Sequence, residues 1–284
     1  MIAVTAATGR LGQIVVQQLR DRHPDRSIVA LARDPAKAVT TIAPGVEVRP
    51  FDYDRPEGMA AALDGVDELL LISGNAVGQR GRQHRAVIEA AKTAGVALIG
   101  YTSVLRASET TLAIAAEHRE TETILAEIGV PYLLLRHGWY CENFLFRIHA
   151  AIESGKLPTC AGQGLISAAT RDDFAEAAVA ILTSPEDQAG RVYELAGSTS
   201  FTFDQMAAEA SRVSGRVIEV VQMAPGELIE ALIAMGIPEI GAGLITKSDI
   251  GAREGGLFDD SRTLGRIIRR PTTPISTVLE EAIA

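Results

Sequence analysis

Residues 2–12 read IAVTAATGRLG: a short strand-forming run leads straight into Ala6, Gly9 and Gly12 at three-residue spacing. Leu11, Val15 and Leu19 then fall on one face of a following helix. Strand, tight turn and helix in this order leave the first helical N–H groups and the positive end of the helix dipole facing a phosphate. A chain that starts this way is committed to an α/β fold, and a dinucleotide is the first ligand to consider. Ala6 stands where the usual fingerprint has its first glycine, so the motif alone is a weak signal.

The rest of the first half keeps the same rhythm. Strands are expected at 27–33 (SIVALAR), 46–52 (VEVRPFD), 68–74 (ELLLISG), 96–103 (VALIGYTS) and 130–138 (VPYLLLRHG). Helices are expected at 12–22, after Asp34-Pro35, and at 59–65, 80–94 and 112–128. Short, continuously apolar strands alternating with helices imply a parallel sheet covered on both faces. Right-handed crossovers then give a Rossmann-like, doubly wound α/β fold.

After residue 140 the pattern loosens. Helices are read at 143–153, 172–182 and 226–235 and within FTFDQMAAEASRVSG, with strands at 191–197 and 217–223. Gly155, Gly162 and Gly164 mark turns around Pro158, and 251–260 (GAREGGLFDD) reads as an exposed glycine-rich turn or loop. The expected organisation is a dinucleotide-binding domain over 1–150 and a smaller C-terminal α/β domain over 151–284, part of which returns to the sheet.

The chain has 284 residues, enough for a large core, and its net charge of −9 argues against a general nucleic-acid binder. Cys141 and Cys160 make no disulfide framework, and no Cys/His cluster has metal spacing, so no metal is expected. The apolar runs are strand-length, so no membrane span is expected. The start lacks a basic region before a long apolar run, so no secretory leader is expected and the cytoplasm is the default. A homodimer is left open.

Arg33 ends the second strand, where an NAD-binding protein usually carries an acid against the ribose hydroxyls. A guanidinium there pairs with a 2′-phosphate and stacks on adenine, so NADP(H) is expected over a weaker NAD(H); the alternative is a solvated surface arginine. Arg10 adds a second positive charge. Ser73, Gly74 and Asn75 follow the fourth strand, where ligands line the carboxyl ends of such sheets, or else form an ordinary loop. Asp52 either approaches the adenine or caps its loop. Tyr101, Thr102 and Ser103 close the fifth strand, but no Tyr-x-x-x-Lys pair exists in the chain. Alcohol dehydrogenation through a tyrosinate is therefore poorly supported. His118 and Glu122, four apart, read either as a ribose or proton-relay pair or as a surface helical pair.

The stretches VGQRGRQHRAVIEAAKTAGV, YTS, AEHRETE, LLLRHGWYCENF and GGLFDDS resemble the NmrA-like atypical short-chain dehydrogenase/reductase family, and within it the bacterial NAD(P)H:quinone oxidoreductases of the second type. The likeness spans essentially the whole chain. It implies a Rossmann domain holding NADPH, a smaller C-terminal domain closing a quinone cleft, and no bound flavin. The dinucleotide loop falls on Ala6, Ala7, Thr8, Gly9, Arg10 and Leu11, the 2′-phosphate arginine on Arg33, and the fourth-strand loop on Ser73, Gly74 and Asn75. A further cofactor segment falls on His137, Gly138, Trp139, Tyr140, Cys141 and Glu142. Ala6 for Gly, Cys141 for Ser and His137 for Asn are the departures.

A quinone is already electrophilic, so positioning supplies much of the catalysis. Asn143 is the expected donor to a quinone oxygen, with Tyr140 beside it; Asn143 as a helix cap is the alternative. Phe144, with Trp139 and Tyr140, reads as an aromatic wall or as core. Arg171 touches substrate or cofactor, or pairs with a nearby acid. Lys247 has no assigned role. Rival functions on the same fold are an enone reductase and an NADP(H)-binding sensor that regulates a protein partner.

Overall fold

The computed structural model describes residues 1–283. The chain divides into two compact units: the first comprises 1–107, 116–137 and 171–193, the second 108–115, 138–170 and 194–284.

The first unit opens with β1 (Ile2–Val4), α1 (Arg10–Arg22), β2 (Ile28–Ala32), α2 (Pro35–Ala38), β3 (Glu47–Pro50), α3 (Met59–Ala62), β4 (Glu68–Leu71), α4 (Arg80–Ala94), β5 (Leu98–Val104), α5 (Ala115–Ile128) and β6 (Tyr132–His137). The second unit begins with a 3-10 turn (Cys141–Asn143), α6 (Leu145–Ser154) and β7 (Lys156–Thr159). The chain returns to the first unit with α7 (Arg171–Leu182) and leaves it along β8 (Val192–Leu195). The second unit ends with α8 (Phe203–Ser214), β9 (Glu219–Gln222), α9 (Pro225–Ala234), α10 (Glu239–Arg253), α11 (Thr263–Ile267) and α12 (Ile275–Ile283).

Seven strands form one sheet in the order β3-β2-β1-β4-β5-β6-β8. The pairs β1–β2, β2–β3, β1–β4, β4–β5 and β5–β6 are parallel. Every residue of β1 and β2 is buried, as is all of β4 and β5 beyond their first residue. Such strands have helices on both faces, which is why they read as unbroken apolar runs. The order reverses between β1 and β4, and this opens the crevice at their carboxyl ends. The α1 stripe of Leu11, Val15, Val16 and Leu19 is buried, and its last turn carries Arg20 and Arg22, which suit the negative end of the helix dipole. Gly95 stops α4 in a left-handed conformation and accounts for its abrupt end.

The second unit departs from expectation in three places. The turn region around Pro158 contains β7, which pairs in parallel with β9 in a two-stranded sheet. Residues 251–260 are not an exposed loop: α10 runs through Arg253, and Gly251, Ala252, Gly256 and Leu257 are buried. A side chain at Gly251 would collide with Leu112, and one at Gly256 would sit 2.9 Å from Thr110 Oγ1. These glycines serve close approach rather than turning. The helices α10, α11 and α12 had no counterpart in the sequence reading.

A buried ion pair organises this unit. Arg147 on α6 and Asp249 on α10 are 4% and 3% exposed at their side chains and meet at 2.8 Å. Asp249 also accepts from Thr159 Oγ1 at 2.6 Å and from the Cys160 N–H at 3.2 Å, while Arg147 donates to the Pro158 carbonyl. The shared hydrogen bonds are what make such a buried pair tolerable.

Candidate cofactor and substrate sites

The turn after β1 is built by one unusual residue and one obligatory glycine. Ala6 adopts a left-handed backbone with φ 46°, which costs a non-glycine residue about 1–2 kcal/mol. Its carbonyl accepts from the Gly9 N–H at 2.8 Å, and the Ala7 N–H donates to Leu31 of β2 at 3.2 Å. A methyl group on Gly12 would lie 2.8 Å from Ala7 Cα and closer still to the Ala6 carbonyl oxygen. Helix α1 therefore sits against the turn only because residue 12 has no side chain. It starts at Gly9 with no side-chain cap and no acid in its first turn. Thr8, Gly9 and Arg10 are exposed. The first helical N–H groups lack intrahelical acceptors, so this end with Arg10 upon it fits a pyrophosphate.

Arg33 follows β2 and is exposed; Asp34 caps α2 by accepting from the Lys37 N–H. Asp54 carries a carboxyl held below its usual range by hydrogen bonds from Gln83 and Arg82 and by the positive charges of Arg82 and Arg33. Asp52 closes its own loop: its carboxylate accepts from the Asp54 N–H at 3.1 Å.

At the switch point, the Thr5 hydroxyl accepts from the Ile72 N–H at 2.9 Å, donates to the Leu70 carbonyl at 3.2 Å and lies 2.6 Å from the Tyr53 hydroxyl. It ties the end of β1 to the end of β4. The next loop is held as firmly. Ser73 N–H donates to Thr102 Oγ1 at 2.9 Å, and Gly74 N–H donates to His84 Nε2 at 3.0 Å. Ser73 and Gly74 are half-buried and Asn75 is exposed.

His118 and Glu122 are not a surface pair. His118 is 4% exposed and its Nδ1 lies 2.8 Å from the Tyr101 hydroxyl. Glu122 accepts from Ser103 Oγ at 2.6 Å and pairs with Arg136 at 2.6 Å. Their partners come from β5 and β6, which a single-helix reading cannot supply. His137 ends β6 with its ring buried and stacked on Phe174 at 4.4 Å. Its carbonyl accepts from the Leu105 N–H at 2.8 Å. Arg171 is the half-buried first residue of α7.

In the second unit, Gly138 and Cys141 are buried, and Trp139, Tyr140 and Glu142 are half-buried. A side chain at Gly138 would stand 3.3 Å from two carbonyl oxygens. Tyr140 forms a parallel bridge to Ala169, and the Cys141 N–H donates to the Ala169 carbonyl at 2.9 Å. Asn143 is exposed and ends the 3-10 turn; the cap of α6 is Phe144, with no side-chain hydrogen bond. A cavity of 270 Å³ opens here. Its wall includes Trp139, Asn143, Phe144, Arg147, Phe203, Leu244, Ser248 and Asp249. Phe144 packs edge-on against Phe201 and Phe203 at 5.8 and 5.9 Å, and the Arg147 guanidinium lies 4.7 Å from the Phe203 ring centre. Phe144 thus lines the cavity and packs against its aromatic neighbours at once. Tyr140 is not among the residues lining the cavity.

A family described as NAD(P)H-binding matches residues 6–185. The chain belongs to this NAD(P)H-binding family. It is 46% identical over 276 residues to quinone oxidoreductase 2 of Escherichia coli (strain K12), covering 97% of this chain and 96% of that protein. The crystal structure of the NADPH-dependent quinone oxidoreductase from Escherichia coli in complex with NADPH superposes with a TM-score of 0.96 at 45% identity, covering all of both chains. The triphenylmethane reductase of Citrobacter sp. complexed with NADP(H) superposes with a TM-score of 0.94 at 34% identity, over 99% of this chain and 100% of that one. The family match starts at residue 6, in the turn after β1.

Sequence reasoning missed Arg147, Phe203, Ser248 and Asp249 at the cavity, and Arg80, His84, Glu117 and Thr121 behind the Gly74 loop. The last four form two i, i+4 pairs on neighbouring helices, a spacing the sequence does display. Among the described residues, no group of three or more His, Cys, Asp or Glu side chains is arranged to hold a metal, and no helix is long and apolar enough to cross a membrane.

Burial pushes the imidazoles of His84, His118 and His137 down to about 3, with the Arg80 charge adding to the effect at the first two. Each is neutral in the fold and takes up a proton near 6.5 once unfolded. Their contribution to stability is whole above that value and is lost as pH falls toward 3. Urea unfolding between pH 8 and pH 5 is expected to show stability falling below about pH 6.5, each histidine adding up to about 1.4 kcal/mol per pH unit. A stability independent of pH down to the carboxylate range would contradict the buried neutral imidazoles.

Proposed function

We propose that this chain is an NADPH-dependent quinone reductase that works without bound flavin. The observation that carries the reading is the full-length similarity to the Escherichia coli quinone oxidoreductase, together with a turn and helix start that fit a dinucleotide. Ala6 to Leu11 would hold the pyrophosphate through main-chain N–H groups, with Arg10 adding charge. Arg33 would pair with the 2′-phosphate; an acid at that position would favour a free ribose hydroxyl, and its absence supports NADP(H) over NAD(H). Ser73, Gly74 and Asn75 would line the ribose and pyrophosphate. His137, Gly138, Trp139, Tyr140, Cys141 and Glu142 complete the proposed cofactor set. When bound, NADPH supplies the hydride equivalent that reduces the acceptor.

The cavity of the second unit suits a flat acceptor. Trp139, Phe144 and Phe203 give it aromatic walls, and the Arg147 charge is matched by Asp249. Aromatic faces favour stacked or edge-on rings. Negative charge grows on a quinone oxygen as it is reduced, and the exposed Asn143 amide at the cavity wall is the proposed donor to it. Tyr140, on the same segment but outside the cavity lining, would act from the cofactor side. Arg171, the first residue of α7, would contact substrate or cofactor. The remaining proton of the hydroquinone comes from water, so no Tyr-Lys pair is needed.

The purified chain is expected to oxidise NADPH on addition of a small quinone, with no flavin added. Stopped-flow absorbance in the nicotinamide band checks this, and no quinone-dependent decay would overturn the enzyme reading. Arg33→Ala is expected to weaken NADPH binding by about 1.5–3 kcal/mol, the range for a hydrogen bond to a charged group, and to leave NADH binding nearly unchanged. Calorimetric titration with both cofactors measures it; equal losses would remove Arg33 from the 2′-phosphate site.

A further inference from the structure

The loop after β4 reaches the proposed cofactor through Ser73, Gly74 and Asn75, yet these residues are small and Asn75 is exposed. Their position has to be set from behind. The peptide groups of Gly74 are gripped on both sides by α4. His84 Nε2 accepts the Gly74 N–H at 3.0 Å, and Arg80 Nε donates to the Gly74 carbonyl at 2.6 Å. Both side chains are buried, Arg80 at 6% and His84 at 0% exposure.

These two groups are held in turn by α5. Glu117 lies 3.3 Å from Arg80 and accepts from the Gly78 N–H at 2.6 Å, so one carboxylate fixes the arginine and the far end of the loop. Thr121 Oγ1 lies 2.8 Å from His84 Nδ1 and donates to the Glu117 carbonyl at 3.0 Å. The directions are consistent only one way. Nε2 accepts from Gly74, so the proton sits on Nδ1 and is donated to Thr121, whose own proton goes to the Glu117 carbonyl. No other tautomer satisfies all three contacts.

We infer that His84 is a positioning residue for the cofactor loop, accepting the Gly74 N–H so that Ser73–Asn75 are preset for NADPH, with Arg80, Glu117 and Thr121 as its supports. The inference rests on the cofactor reading above. Loss of the acceptor would strand a partly buried N–H and free the loop to move, and the binding energy would then be spent on ordering it. Burial holds the imidazole neutral, with its pKa at about 3, so the acceptor is present throughout the neutral range.

The experiment compares His84→Phe, which keeps a ring but has no acceptor, with His84→Gln, whose amide oxygen can take the place of Nε2. NADPH binding is measured by fluorescence titration, steady-state kinetics with a small quinone follow, and Gly74 amide exchange is read by NMR. His84→Phe is expected to raise the Kd for NADPH about tenfold, the effect of one lost hydrogen bond. It should also speed Gly74 exchange and leave the KM for quinone unchanged at saturating NADPH. His84→Gln is expected to restore both binding and exchange protection. Should His84→Phe fail to fold, Thr121→Val, which removes the Nδ1 partner and keeps the shape, is expected to weaken NADPH binding in the same direction. Wild-type NADPH affinity in a folded His84→Phe, or a His84→Gln as weak as His84→Phe, would overturn the positioning role. If the unaltered chain binds no NADPH, the cofactor reading itself fails, an outcome distinct from either.

Discussion

The contact between Gly12 and the Ala6–Ala7 peptide governs the first unit. Any side chain at residue 12 would overlap the main chain of the turn, so α1 can lie this close to β1 only with glycine there. That closeness is what turns the open end of α1 toward the carboxyl end of the sheet. The turn stores strain in a left-handed alanine, and the parallel sheet around it must supply the compensation. It does so through buried strands on both sides of β1 and through the Ala7 and Thr5 contacts that fasten the turn to β2 and β4.

The same logic extends outward along the sheet. Small or glycine residues form the proposed ligand-facing surface, and buried or half-buried polar side chains one layer back fix where that surface lies. Thr5 and Tyr53 do this at the switch point, Thr102 does it for Ser73, and His84 with Arg80 does it for Gly74. Thr5, Tyr53, His84 and Arg80 each hydrogen-bond more than one partner, as buried polar groups require. In the second unit the Arg147–Asp249 pair plays the corresponding part for the cavity wall, joining α6 to α10 and to the residues around Pro158.

Most of the first unit was legible in the sequence because its strands are buried on both faces and its helices carry regular apolar stripes. The expected helix over 80–94 coincides with α4, and each of the six strands expected in the first half is present. The second unit was harder for stated reasons. β7 is four residues long and contains Pro158. The buried face of α10 consists of Ala242, Thr246, Asp249, Gly251 and Ala252, small or polar residues that make no apolar stripe. Gly251 within it and Gly256 just after it mimic a turn while packing against Leu112 and Thr110. At the candidate site, the tight turn after β1 and the exposed position of Arg33 at the end of β2 were readable from local pattern. The Arg147–Asp249 pair joins residues 102 positions apart and was not. His118 was read on the correct helix, but Glu117 and Thr121 make the contacts to α4, and only the packing of α5 on α4 reveals it.

If the Gly12 contact shapes the proposed dinucleotide cradle, calorimetric titration of Gly12→Ala with NADPH will register its loss. The variant is expected to fold by circular dichroism and to lose about 1–3 kcal/mol of stability, the usual cost of overpacking. Its NADPH affinity should fall by two orders of magnitude or more. A folded Gly12→Ala that binds NADPH as tightly as the unaltered chain would contradict it.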